Sequence, residues 1–254
     1  MSLILTTISR RGIIQAADSN LTGNGGAAGV GQKVFAVPYL GAALSVAGSY
    51  SVAGVRMDNW MQQAIGAYST NGGRTLPGLA ESLRGRLELE MTQAEKSRGS
   101  LTHLCGYVRA GNSAHPEFYF VRNITGIDPH TGAYIGMSAS FEMSEDFWTR
   151  DYAAPETRNA IAAGGQQVYI NGYPAGRIGY LALMGHFGDF LSAVWSEPRW
   201  KFRPPTTLHE ESLLVELQLR AIGVCFHLSD YPAPYIGGET QIEQLEAPQD
   251  CLPL

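Results

Sequence analysis

SLILTTISRRGIIQAADSNLT (2–22) is the stretch whose reading decides the fold. Two apolar runs, 2–8 (SLILTTI) and 13–18 (IIQAAD), flank Ser9-Arg10-Arg11-Gly12, a tight turn ending in glycine. That pattern predicts a β-hairpin at the start of the chain. A hairpin turning at Arg10–Gly12 carries Ser2 back beside Ser19–Leu21, next to Asp18. Lys33–Val37, the turn Pro38-Tyr39-Leu40-Gly41 and Ala42–Ala47 predict a second hairpin, which brings Lys33 to the same corner. Between the hairpins, 23–31 (GNGGAAGVG) reads as a loop. No lysine–hydroxyl pair opens a helix after it, so it is not a phosphate loop.

Outward from this start, helical periodicity appears twice. Over 51–69, Ala53, Met57, Trp60, Met61, Ala64 and Tyr68 share one face. Over 76–97, Leu79, Leu83, Leu87 and Met91 do the same. Strands are expected at Thr102–Arg109, Phe118–Asn123 and Tyr134–Phe141, followed by a loop-rich stretch over 142–160. A helix over 174–195 opens on Pro174, as suits a first turn. A second, over 209–228, places Glu210 and Glu211 in its first turn, and a closing strand covers 240–245. Helices grouped in pairs, rather than alternating with single strands, argue against a doubly wound sheet. They predict an α+β fold of two stacked antiparallel sheets between helix layers, an αββα sandwich, in one domain spanning 1–254.

Composition bounds the function. The 254 residues are 44% hydrophobic and 16% charged, enough for a sizeable core and too apolar for disorder. No uncharged run approaches the roughly 20 apolar residues of a membrane span. Met1–Thr7 is too brief for a signal sequence, so a cytoplasmic location without membrane contact is expected. Net charge is −5 with no basic run, which disfavours nucleic acid. Three scattered cysteines, Cys105, Cys225 and Cys251, form no disulfide framework or zinc motif, and the six histidines show no metal spacing. No cofactor and no metal are expected. His103 and His227, in apolar segments, read as structural.

Ser2 carries the chemistry. A small residue after the initiator methionine permits its removal, which leaves serine with a hydroxyl and a free α-amine together. The amine, with a pKa around 7.7–8.0, accepts the hydroxyl proton near neutral pH. Asp18 holds and orients Lys33, Lys33 lowers the pKa of the Ser2 hydroxyl, and Gly48 offers a backbone N–H to an oxyanion. Blander readings stand beside these. Serine is common at position 2, Asp18 suits a turn, and Lys33 suits a solvated sheet edge. Lysine is scarce in the chain, occurring only at 33, 96 and 201.

The run T-T-I-S-R-R-G-I-I-Q-A-A-D-S-N-L-T (6–22) resembles the start of proteasome β-type subunits and the bacterial HslV protease. Q-K-V-F-A-V-P-Y-L-G (32–41) and S-V-A-G-S (45–49) resemble the hairpin and glycine that follow there. The likeness is specific over 2–70 and extends in topology to 110. Thr6-Thr7 imitates the family's N-terminus, but counting back from Asp18 and Gly12 lands on Ser2. The resemblance thus implies Ser2 as nucleophile and base, Asp18 and Lys33 as its activators, and Gly48 as oxyanion donor. It implies Thr22, with Leu21, as a clamp for an extended peptide, and Val46 and Tyr50 as borders of an apolar specificity pocket. Serine in place of threonine is similar to members of the bacterial proteasome-homologue group. The family's Gly-Ser-Gly reads Gly164-Gly165-Gln166 here, and its Asp-x-x-Ser-Gly reads Asp230 through Ile236-Gly237-Gly238, both without the serine. Extra length falls near 142–160 and 196–206.

The implied activity is peptide-bond hydrolysis on peptides or unfolded proteins. It would take place inside a homo-oligomeric double ring of six or seven subunits per ring, with an ATP-dependent unfoldase as possible partner. Two alternatives stay open: a catalytically inactive ring-forming subunit, and an amidase acting on small molecules.

Overall fold

A computed structural model describes residues 2–23, 26–127, 134–144, 155–172, 174–199, 201–230 and 236–251. The chain opens with β1 (Leu3–Ser9), β2 (Gly12–Asp18), β3 (Asn20–Gly23), β4 (Gly26–Val30), β5 (Val34–Val37), β6 (Ala42–Gly48), β7 (Ser51–Val52) and β8 (Val55–Arg56). Helices α1 (Met57–Thr70), α2 (Leu76–Glu90) and α3 (Gln93–Lys96) follow. Next come β9 (Ser100–Ala110), β10 (Ser113–Arg122), β11 (Gly126–Ile127), β12 (Tyr134–Ile135) and β13 (Glu142–Met143). The chain closes with α4 (Pro155–Ala162), β14 (Gln166–Gly172), α5 (Pro174–Ser196), α6 (Leu208–His227) and β15 (Thr240–Glu246).

Two sheets carry the fold, one ordered β14-β1-β2-β15 and the other β13-β10-β9-β6-β5. Their ladders are antiparallel, and the class is α+β. The two predicted hairpins form, but in different sheets: β1–β2 in the first and β5–β6 in the second.

Every residue of β1 and β2 is buried. Side chains alternate across a strand, so each face serves a different interface. Leu3, Leu5, Ile14 and Ala16 pack against Leu208, Val215, Leu219 and Ile222 of α6. Ile8 and Ile13 meet Ala43, Cys105 and Phe118 of the other sheet, and Ile4 and Ala17 meet Val34 and Ala47. Burial on both faces explains why these strands read as nearly unbroken apolar runs. The second sheet is covered by α1 and α2: Trp60, Met61, Leu79, Leu83 and Leu87 pack on Val37, Leu44, Leu104 and Val121. Each such side chain contributes about 1.5–3 kcal/mol by leaving water.

Several elements depart from the sequence pattern. The 23–31 stretch is largely a strand: β3 and β4 form a ribbon with a bulge between Leu21 and Thr22. The six residues expected to open the first helix form the β7–β8 ribbon instead, turning at Ala53 (φ +50°) and Gly54 (φ +79°). The second helix ends at Met91, in extended backbone, because Thr92 caps α3 in a capping box with Glu95. Strand β10 begins at Ser113, ahead of Pro116; β13 pairs only with Val121 and Arg122, so Pro116 meets no ladder on that side. Tyr134–Phe141 holds only the two-residue β12. Of the loop-rich stretch, 145–154 lie outside the described residues, and α4 starts at Pro155. Strand β14 has no counterpart in the sequence reading at all.

The first turn of α6 is tied to the β1–β2 turn. Thr207 and Glu210 form a capping box. Glu211, 2% exposed, accepts from Ser9 Oγ at 2.7 Å and pairs with Arg11, which also donates to Pro205 O at 2.9 Å. Glu211→Ala is expected to cost about 1.5–3 kcal/mol, the range for charge-assisted hydrogen bonds, as a lowered urea midpoint. A midpoint within about 0.5 kcal/mol of wild type would contradict this linkage. No helix among the described residues is long and apolar enough to cross a membrane. Cys105, Cys225 and Cys251 are all free thiols.

Candidate functional site at the start of β1

The hairpin register fixes the corner. Ile4 pairs with Ala17, which carries Ser2 alongside the Asp18–Ser19 end of β2, as the turn predicts. Ser2 is buried, at 6% exposure. Asp18 Oδ1 accepts the N–H of Leu3 at 2.8 Å, so the carboxylate holds the residue that follows Ser2. Its Oδ2 accepts from Lys33 Nζ at 3.0 Å. Lys33 Nζ also donates to Asn20 O at 2.5 Å.

Lys33 is 1% exposed and Asp18 3%, which removes the solvated-edge reading of the lysine. Two opposite charges this deep are costly to desolvate and hold each other in place. Burial pushes the Asp18 carboxyl up and the Lys33 ammonium down; the facing charge pulls each back. An ammonium lowered in this way gives up a proton more readily than an exposed lysine does.

Gly48 ends β6. Val46 N donates to Lys33 O at 2.9 Å, so Gly48 lies two residues beyond the point where β6 meets the lysine's backbone. Its φ is +94°, and a Cβ there would stand 2.3 Å from Gly99 O. Only glycine fits that conformation and that approach. Leu21 and Thr22 lie half-buried on β3, facing β4. Val46 is 2% exposed in the core under α1 and α2. Tyr50 is half-buried; its hydroxyl donates to Gln32 O at 2.6 Å and stands over Gly31. On the other side of the corner, a cavity of about 680 Å³ between α6 and the 236–240 segment reaches Asp18 and Asn20.

The two segments that the resemblance likens to glycine motifs fall out differently. Gly164 and Gly165 precede Gln166, which pairs with Ser9 at the far end of β1, about 20 Å from Ser2. That assignment is therefore corrected: the glycine beside Ser2 is Gly172, paired with Leu3. At φ +102°, a Cβ on Gly172 would stand 2.0 Å from Ser2 O. Tyr173, which follows it, lies outside the described residues. At the second motif Ile236 is fully buried in the α6 core, while Gly237 N donates to Asp18 Oδ2 at 3.4 Å. Gly237 O accepts from Ser19 N and Asn20 N, both at 3.2 Å. Residues 231–235 lie outside the described residues.

Sequence reasoning missed Gly172 and two further polar contributors, Gln241 and Glu95. Glu95 braces the ribbon that follows Gly48, accepting from Ala53 N at 2.9 Å, Gly54 N at 3.1 Å and Thr92 N at 2.9 Å. Burial pushes its carboxyl up, but hydrogen bonds from Ser51, Thr92, Gly54 and Ala53 outweigh that and hold it at about 2. A depressed carboxylate stabilises the fold above its ordinary value of 4.5, and that stability is lost as pH falls toward about 2. Urea midpoints across that window should fall for the wild type, and Glu95→Gln should remove this part of the slope. An unchanged slope in the variant would contradict the brace.

His103 is buried in an apolar setting, stacked on Phe120 at 4.3 Å, with its pKa lowered by burial to about 3. Its Nδ1 lies 3.2 Å from Thr6 Oγ1, so it stays neutral inside the packing, as a structural histidine does.

No protein-family model matches the chain, and no curated protein matches it either.

Proposed function

We propose that this chain is an N-terminal-nucleophile peptidase of the proteasome type, built as an αββα sandwich and acting through Ser2. One observation carries the reading: a single buried carboxylate, Asp18, bonds both the N–H of Leu3 and the ammonium of Lys33. A buried ion pair at the end of the strand that begins after Ser2 is costly to build and has an evident use there.

Removal of Met1 bares the α-amine of Ser2. The amine takes the hydroxyl proton as the oxygen attacks a peptide carbonyl, and the Gly48 N–H receives the oxyanion. The C–N bond breaks, and the leaving amine takes the proton from the α-amine. Water, deprotonated by the same amine, then hydrolyses the ester and restores Ser2. Lys33, held by Asp18, steadies the developing charge on the serine oxygen. The β3–β4 ribbon, with Leu21 and Thr22, offers backbone for an extended peptide. The same reading places the chain in a closed ring with peptides or unfolded proteins as substrate and an ATP-dependent unfoldase as partner.

A second reading, a silent subunit of the same fold, is favoured by the buried Ile236 where the family has serine. Hydrolysis of an unfolded protein by purified chain separates the two. The peptidase reading expects cleavage that Ser2→Ala abolishes and Ser2→Thr retains. Equal cleavage by wild type and Ser2→Ala, or none by either, would contradict it.

A further inference from the structure

We propose that Gln241 is a positioning residue for Lys33, an inference that rests on the peptidase reading above. Gln241 lies on β15, the edge of the first sheet, opposite Ala17 and one position from the Asp18–Thr240 pair. Lys33 directly precedes β5, the edge of the second sheet. The two edges meet here without a ladder, and one side chain joins them.

Gln241 Oε1 accepts from Lys33 N at 2.6 Å and from Val34 N at 3.2 Å. Its Nε2 donates to Gly31 O at 2.8 Å. An amide is the one uncharged side-chain group with both an acceptor oxygen and an NH₂ donor, and here both ends are used. Val46 N holds Lys33 O from the opposite side at 2.9 Å. The lysine backbone is thus gripped at N–H by the sheet that carries Asp18 and at C=O by the strand that carries Gly48. The carboxylate fixes only the tip of a long, flexible side chain; Gln241 fixes its root. It therefore governs where the ammonium stands relative to Ser2, without touching Ser2 or substrate.

The test uses Gln241→Met, which keeps the length and loses every hydrogen bond, and Gln241→Glu, which keeps the acceptor and adds charge near Lys33. Two quantities are read for each full-length protein: amide exchange over 31–37, and the pH profile of labelling at Ser2 by a peptide epoxyketone. In Gln241→Met, exchange at Lys33 and Val34 should rise and labelling should slow roughly 10- to 100-fold, the scale of a misplaced catalytic group. In Gln241→Glu, the pH midpoint of labelling should move upward, because added negative charge favours the protonated lysine. A merely structural glutamine would leave the labelling rate of folded Gln241→Met near that of the wild type. Faster exchange with labelling at the wild-type rate and midpoint would overturn the proposal and leave the peptidase reading standing. A folded wild type that takes no label overturns the peptidase reading itself, and the positioning role with it.

Discussion

Asp18→Ala is expected to lose about 3–5 kcal/mol of folding stability, the cost of breaking a buried ion pair from one side. The variant leaves the Lys33 ammonium at 1% exposure without its carboxylate. It also strips the Leu3 and Gly237 N–H groups of their acceptor. Surface ion pairs of the same length are worth 0–1 kcal/mol, so the size of the loss reports the burial. The double variant Asp18→Ala/Lys33→Met removes both charges and should recover much of the loss; with Lys33→Met alone it closes a double-mutant cycle in which a large coupling is expected. Urea denaturation measures all four proteins. A single-variant loss under about 1 kcal/mol would mean that the pair is solvated.

Lys33→Arg separates the charge from its placement. Arginine keeps a cation beside Asp18, but spreads it over a planar guanidinium in place of a compact ammonium. The fold should survive with a loss smaller than that of Asp18→Ala, mostly the overpacking of a larger group at a fully buried position. Labelling of Ser2 by the epoxyketone should nevertheless slow by up to about 100-fold, because the wider guanidinium cannot stand where the ammonium steadies the serine oxygen. Labelling near the wild-type rate would show that a cation anywhere beside Asp18 suffices.

The corner was legible in the sequence because its geometry is local. One turn of two arginines fixes the register of β1 on β2, and a slip of one residue would turn every Leu and Ile to the opposite interface, where it does not fit. Ser2, Asp18 and Lys33 follow from that register and from the next hairpin. The β3–β4 ribbon was hidden because glycine and alanine carry little strand preference, and its ladder is a backbone affair. Strand β14 was hidden because QQVYING lies at the edge of its sheet and is only partly buried, so it shows no apolar alternation. With it went Gly172, the glycine paired with Leu3 beside Ser2. Gln241 reaches Lys33 across 208 residues of chain, and no local pattern marks a polar residue whose partners are so distant.

Mass spectrometry of the N-terminal peptide, after reacting the folded protein with a peptide epoxyketone, tests the central claim most directly. The reagent closes a ring through both the hydroxyl and the α-amine of the same residue, so it reports processing and geometry at once. The predicted result is a peptide beginning at Ser2 and carrying the reagent. A well-folded protein whose Ser2 remains unmodified behind Met1 would contradict the claim.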